Sequence, residues 1–157
     1  MAPSATGRLI ATLQAEIGRI EANWTVRVAN LPTFRSEPDL GLADLQGVMP
    51  DLLRACCAAV AVSSPALDPA PLARARDLAA RHGRNRAVAG FALGDLLSEF
   101  HQLLAEVWQA VWRAAEEAVT LMPALREIQE RVIDTFDAVV VAAADAWLAA
   151  HQARNAE

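Results

Sequence analysis

Apolar residues recur along most of this chain at alternating intervals of three and four. Ile10, Leu13, Ile17, Ile20 and Trp24 form the first such run. That spacing puts them on one helical face, with Arg8, Glu16, Arg19 and Glu21 elsewhere around the helix. The pattern predicts a helix from Thr6 or Gly7 to about Asn30. It ends at Leu31-Pro32, because the residue before a proline avoids the helical region. A heptad stripe of this length serves a packed helix pair or a dimer seam. Residues 31–41, rich in Pro, Ser and Asp, read as a loop. A second segment carries Leu42, Leu45, Val48, Met49, Leu52, Leu53, Cys56, Ala59 and Val60. Pro50 either kinks it or stands in the first turn of a helix starting there. Ser63-Ser64-Pro65 closes it. Asp68-Pro69 reads as an N-cap followed by proline at the first helical position. A third helix runs from there to about His82, with Gly83 as the left-handed residue past its end.

Two longer stripes follow. The fourth helix begins near Leu93 or Gly94 and carries Leu93, Leu96, Leu97, Phe100, Leu103, Leu104, Val107, Trp108, Val111, Trp112 and Val119. So wide a stripe, over about seven turns, predicts a central, largely buried helix. Thr120 and Pro123 mark the next boundary. Leu125, Ile128, Val132, Phe136, Val139, Ala143 and Trp147 make a last stripe near heptad spacing, with no stop signal after it. Such a helix suits a dimeric or signal-carrying element, or one packed only on its own domain. Strand-like alternation and internal repeats are missing from the sequence. The expectation is an all-α bundle of about five helices, a single domain over residues 1–157 whose last helix can run on into a signalling helix.

Composition narrows the class. The 157 residues are 54% hydrophobic and 21% charged, a globular balance. A net charge of -5 argues against a general nucleic-acid binder and suits a soluble cytoplasmic protein. The first residues lack the unbroken apolar core of a signal peptide. The most apolar stretch, Ala138 to Ala150, is interrupted by Asp145 and falls short of the roughly 20 residues that span a bilayer, so no membrane partner is expected. Cys56 and Cys57 are adjacent and carry no metal spacing. They read as reduced thiols packed along a helix, in keeping with the cytoplasm.

The chemistry concentrates between Arg81 and Phe100, RHGRNRAVAGFALGDLLSEF. The chain's histidines are His82, His101 and His151. Glu99 and His101, two apart, face different ways, and no other pair has metal-ligand spacing. His101 and His82 are the candidates for a haem axial ligand. Neither a nucleophile–base pair, a nucleophile elbow nor a phosphate loop is present, so no catalytic residue is expected. Arg81, Arg84 and Arg86 offer an anion site at the start of the fourth helix, or else are solvated or paired with Asp77, Asp95 and Glu99. Glu99 sits among Leu96, Leu97, Phe100 and Leu103, and a half-buried carboxylate needs a partner. His82 and Arg86 can fold back to supply one. The cluster of His82, Arg84, Arg86 and Glu99 therefore reads as a structural latch tying the turn before the fourth helix to the bundle, or as a ligand or switch site.

This stretch also carries a family resemblance. His82-Gly83, then Arg86, then Gly90-Phe91-Ala92-Leu93 and Leu96-Leu97-Ser98-Glu99-Phe100, resembles the RsbT co-antagonist (RsbRD-type) N-terminal sensor domain of stressosome proteins and bacterial histidine kinases. His82, Gly83, Arg86, Glu99 and Phe100 match residue by residue, and Leu103 fits the apolar position that follows. His101 stands where relatives often carry Arg or another polar residue, which argues against a special role for it. Trp24, the loop Leu31-Pro32-Thr33-Phe34 and the late Phe136-Asp137 extend the likeness over most of residues 8–150. The resemblance implies a non-catalytic, homodimeric sensor without cofactor that precedes a histidine-kinase core or a STAS output domain. It also implies a fold related to the globin-like, haem-free stressosome sensors. Neither output module is encoded here, so a stand-alone sensor or an N-terminal domain is expected. The alternative is a globin-like sensor that binds haem or another small ligand.

Overall fold

The computed structural model describes residues 4–36, 46–62, 68–118 and 122–156. Among them lie seven helices and no strand. They are α1 (Ala5–Ala15), α2 (Ile17–Ala29), α3 (Pro32–Arg35), α4 (Met49–Ala61), α5 (Ala70–Val88), α6 (Leu93–Ala118) and α7 (Met122–Asn155). The fold is all-α, as the periodicity predicts. The helix count exceeds five for two local reasons. The predicted first helix breaks at Glu16, which caps α1 and starts α2. In the expected loop, Pro32 opens the short α3, proline being suited to a first turn. The remainder of that loop, and the Ser63-Ser64-Pro65 stop, lie outside the described residues.

Each boundary has a chemical cause. The Ser4 hydroxyl accepts from Gly7 N at 3.0 Å and caps α1. Pro50 stands in the first turn of α4, which settles the choice between kink and start. Asp68 Oδ1 accepts from Ala70 N at 3.3 Å at the entry to α5. In the first turn of α6, Asp95 Oδ2 accepts from Ala92 N at 3.1 Å, the returning half of a capping box.

The stop expected at Gly83 is not there. Helix α5 runs straight through it to Val88. The residue with left-handed backbone is Gly90, with φ of 87°. Gly90 N bonds to Ala87 O at 3.1 Å and Phe91 N to Arg86 O at 3.0 Å. Those two bonds define a Schellman ending, in which glycine alone avoids strain. Gly83 serves packing instead. A Cβ added there would stand 2.0 Å from the Ala143 carbonyl oxygen on α7. Ala75, Ala79, Gly83 and Ala87, four residues apart and all buried, form a ridge of small residues along α5. That ridge lets the α5 and α7 backbones approach closely, and α5 packs more extensively on α7 than on any other helix.

The core draws on all the long helices. Leu9 and Leu13 of α1 and Ile20, Trp24 and Val28 of α2 meet Leu96, Phe100, Leu103 and Val107 of α6. From the other side, Leu52, Leu53 and Cys56 of α4 meet the stripe of α7. Every residue of the predicted α7 stripe, Leu125 through Trp147, is buried. Cys56 and Cys57 are free and buried. Burial, reinforced by the neighbouring Cys57, pushes the Cys56 thiol well above its ordinary range, and burial pushes Cys57 up to about 12. Helix α6 is less enclosed than its stripe suggests, since Leu97 and Trp112 are exposed. No helix among the described residues is long and apolar enough to cross a membrane.

Candidate functional site

The polar cluster forms where the C-terminal part of α5 lies over the first turns of α6. Glu99 is fully buried, at 0% exposure. Arg86 donates through Nε to Glu99 Oε1 at 2.9 Å and through Nη2 to Oε2 at 3.0 Å. This two-pronged pairing is the strongest geometry open to a carboxylate and a guanidinium. His82 Nε2 lies 3.0 Å from Oε2. An ionised carboxylate can only accept, so Nε2 carries the hydrogen in this contact. His82 and Arg86 are four apart and therefore share the face of α5 that looks at Glu99.

Aromatic groups enclose these charges. Arg86 Cζ lies 5.2 Å from the Phe34 ring centroid and 5.3 Å from that of Phe91, within cation–π range. The two phenyl rings stack with centroids 4.9 Å apart. The His82 ring meets Phe100 edge-on at 5.9 Å. Phe91 has a second role, as the residue after the left-handed Gly90. A Schellman ending usually carries an apolar contact between that position and the one five back. Here the Phe91 ring on the Arg86 guanidinium fills that place. The Trp24 indole donates to the Glu99 backbone oxygen at 3.0 Å, which brings α2 to the same spot. Thr33 donates to Asp95 Oδ1 at 2.6 Å and fixes α3, which carries Phe34, to the start of α6.

The cluster is also wired to the far end of α7. Trp147 Nε1 donates to Phe91 O at 3.0 Å. Arg154 donates to Ala87 O, one of the last carbonyls of α5. The His151 ring stacks on Trp147 with centroids 4.6 Å apart. Around this corner α7 bonds to the turn itself, while α2 and α3 bond to the first turns of α6.

The structure brings His82, Arg86 and Glu99 together and leaves Arg84 outside. Arg84 faces solvent with Arg81. Both border an open recess with Asp51, Arg74 and Asp77. Three arginines within six sequence positions of one helix do not all share one face: Arg81 and Arg84 look outward and Arg86 inward, so the anion site at the start of α6 does not assemble. Asp95 is engaged in capping and with Thr33. Neither other histidine belongs to the cluster. His101 is exposed beside a shallow recess that includes Leu97, Leu104 and Val141. Among the described residues no group of three or more acidic, His or Cys side chains is placed to hold a metal ion.

Sequence reasoning missed a second buried carboxylate. Glu106, only 1% exposed, accepts from Asn23 Nδ2 at 3.0 Å and forms an ion pair with Arg27. The Arg27 contact lacks hydrogen-bond geometry at Oε1. One more turn pair along, Arg113 donates to Glu16 Oε2 at 2.8 Å. Glu99, Glu106 and Arg113 are spaced by seven, so inside an otherwise apolar stripe α6 presents a polar seam that meets α5 at Glu99, α2 at Glu106 and the α1–α2 junction at Arg113. That spacing was the available signal.

The geometry describes a sealed cluster of charged, aromatic and backbone groups that joins helix ends. Comparison with curated proteins and with solved structures finds no match. A family model does match, over residues 6–157. It spans the buried cluster, the Gly83 crossing and the whole of α7, and by it this chain belongs to the family of the RsbT co-antagonist protein rsbRD N-terminal domain, a bacterial stress-signalling domain.

Proposed function

We propose that the chain is a non-catalytic sensor and interaction module that works as a homodimer in the bacterial cytoplasm and passes a signal through α7 to a histidine-kinase core or a stressosome-type STAS output. One observation carries this reading. The turn over residues 86–92 is held on one side by Glu99 and on the other by Trp147 and Arg154 of α7. A change in the Glu99 cluster must therefore strain or release the bonds to α7. Buried ion pairs are better at fixing one arrangement than at adding stability. A fixed arrangement that can be released is what a switch element requires.

The exposed face of α6 and α7 supports the dimer. Leu97, Trp112, Ile133 and Val141 are between 40 and 57% exposed, and Leu104, Trp108 and Val140 are half-buried beside them. The recess shared by Leu97, His101, Asp137 and Val141 shows the two helices side by side at one end of this strip. A face about four turns long and two helices wide offers roughly 500 Å² per copy, enough for a modest self-complementary interface. Exposed apolar area on this scale matches the largest patch of a typical monomer, which is often a functional one.

Light scattering is expected to give twice the monomer mass, and Trp112→Glu to halve it. A wild-type monomer would remove the dimer from this account. In a fusion of the chain to a histidine-kinase core, Glu99→Gln should change autophosphorylation severalfold; an unchanged rate would remove α7 transmission. A Soret band on adding haem would favour the haem-sensor alternative instead.

A further inference from the structure

Unpaired positive charge gathers on one helix of this acidic protein. The chain has no lysine, so its permanent side-chain cations are arginines. Among the described residues, every arginine outside α5 except Arg35 is engaged. Arg54 pairs with Asp51, Arg113 with Glu16 and Arg131 with Glu127, and the others are held likewise. On α5, Arg86 is buried against Glu99. Arg74, Arg76, Arg81 and Arg84 are exposed and form no ion pair or hydrogen bond among the described residues.

The free guanidiniums are ordered, not scattered. At about 100° per residue, Arg74, Asp77, Arg81, Arg84 and Val88 fall within about 80° of arc, and Arg76 points about 120° from its middle. The stripe lies opposite the small-residue ridge that packs on α7. Arg74, Arg81 and Arg84 border an open recess of about 550 Å³ between α4 and α5, with the buried Leu78 among its walls. Asp51, on the α4 side of that recess, is already paired with Arg54 at 3.0 Å. Val88, 68% exposed, gives the stripe an apolar end.

We propose that the outer stripe of α5 is a docking surface for an acidic helical segment of a partner protein. Arg74 and Arg84 stand about 15 Å apart along α5, so the three guanidiniums do not converge on one small anion. A partner helix has the same rise, and carboxylates at intervals of seven and three meet Arg74, Arg81 and Arg84 one for one. Asp77 decides against a nucleic acid, whose phosphates set negative charge along the whole stripe; a polypeptide can place a neutral or basic residue there. A membrane surface is disfavoured too, because Val88 is the stripe's one large apolar side chain and no apolar face accompanies the basic one. The stripe ends in the turn that Glu99 and α7 hold, so an occupant bears on that corner. The docking itself stands apart from the reading of α7 as the signal-carrying helix.

Fluorescence anisotropy of the full chain tests the surface with a labelled Ala-rich helical peptide of about 20 residues, bearing three glutamates at intervals of seven and three. The protein's net charge of -5 repels such a peptide as a whole, so binding reports the local stripe. Saturable binding is expected at low salt, weakening about tenfold when the salt is raised tenfold. Arg81→Gln combined with Arg84→Gln should weaken it about tenfold, Asp77→Asn should tighten it about twofold, and Arg76→Gln should leave it unchanged. Circular dichroism checks that each variant folds. No saturable binding below about 1 mM, an equal effect of Arg76→Gln, or equal binding of a peptide with its glutamates scattered around the helix would overturn the proposal. Tighter binding of oligouridylate or of phosphatidylglycerol vesicles would overturn it in favour of a nucleic acid or a membrane.

Discussion

Replacing Gly83 by alanine separates two opposite expectations. In an ordinary helix interior the exchange stabilises by about 1 kcal/mol, because alanine is the better helix former. Here the new Cβ would lie 2.0 Å from the Ala143 carbonyl oxygen, 2.8 Å from its carbonyl carbon and 3.1 Å from its Cα. All three are backbone atoms and cannot swing aside as a side-chain tip would. Carbon and carbonyl oxygen settle no closer than about 3.3 Å, so α5 and α7 must part by roughly 1.3 Å at the crossing. A radial gap of ~0.5–1 Å already forfeits a quarter to a half of a dispersion contact. Overpacking of this kind costs up to about 3 kcal/mol. After the gain in helix propensity, the net loss is about 2 kcal/mol, which for a chain of this length lowers Tm by roughly 4–8 °C. Urea unfolding followed by circular dichroism reads it as a lower midpoint at unchanged slope. Gly18, with nothing within 4 Å of its built Cβ, is the control, and Gly18→Ala should leave the midpoint equal or higher. If Gly83→Ala matched or exceeded wild type, the close α5–α7 crossing would be refuted.

Other substitutions probe other links. Glu99→Gln removes the buried negative charge facing Arg86 and His82 and should cost about 3–5 kcal/mol in urea unfolding, whereas exchanging all three residues for apolar ones of similar size should recover most of it; a loss under about 1 kcal/mol for the single variant would contradict the paired cluster. Gly90→Ala forces a φ of 87° on alanine and should lose about 1 kcal/mol, and an unchanged midpoint would contradict the Schellman ending. Cys57, pushed up to about 12, and Cys56, raised further, stay protonated across the neutral range. A thiol-reactive dye should leave both untouched in the native protein and react once it unfolds; fast native labelling would show that the α4 face opens.

How much of this was legible in sequence follows from where local pattern and tertiary contact agree. The α7 stripe reads correctly because its periodicity and its burial have one cause. Glu99, His82 and Arg86 were legible because a carboxylate in an apolar stripe demands partners and the nearest ones precede its helix. Gly83 misled, since glycine's two uses, left-handed backbone and close approach, look alike in sequence. Taking it as a stop also hid the face shared by His82 and Arg86 and kept Arg84 in the cluster. Once α5 is continuous, Arg84 falls on the outer face. The small-residue ridge at 75, 79, 83 and 87 and the polar seam at 99, 106 and 113 were both present as spacings. Their meaning depends on which helix lies opposite, and pattern alone does not carry that. Phe34 had no signal as an Arg86 partner, because α3 reaches the cluster only through the folded chain.

The central claim is that the Glu99 cluster and the end of α7 form one mechanical unit through the turn at residues 86–92. Native-state hydrogen exchange on Glu99→Gln tests it most directly, because exchange reports local opening separately from global unfolding. The account predicts faster exchange at residues 86–96 and again at 143–155, with α1 protected as in wild type. Uniform acceleration along the whole chain, or acceleration confined to residues 86–96, would contradict it.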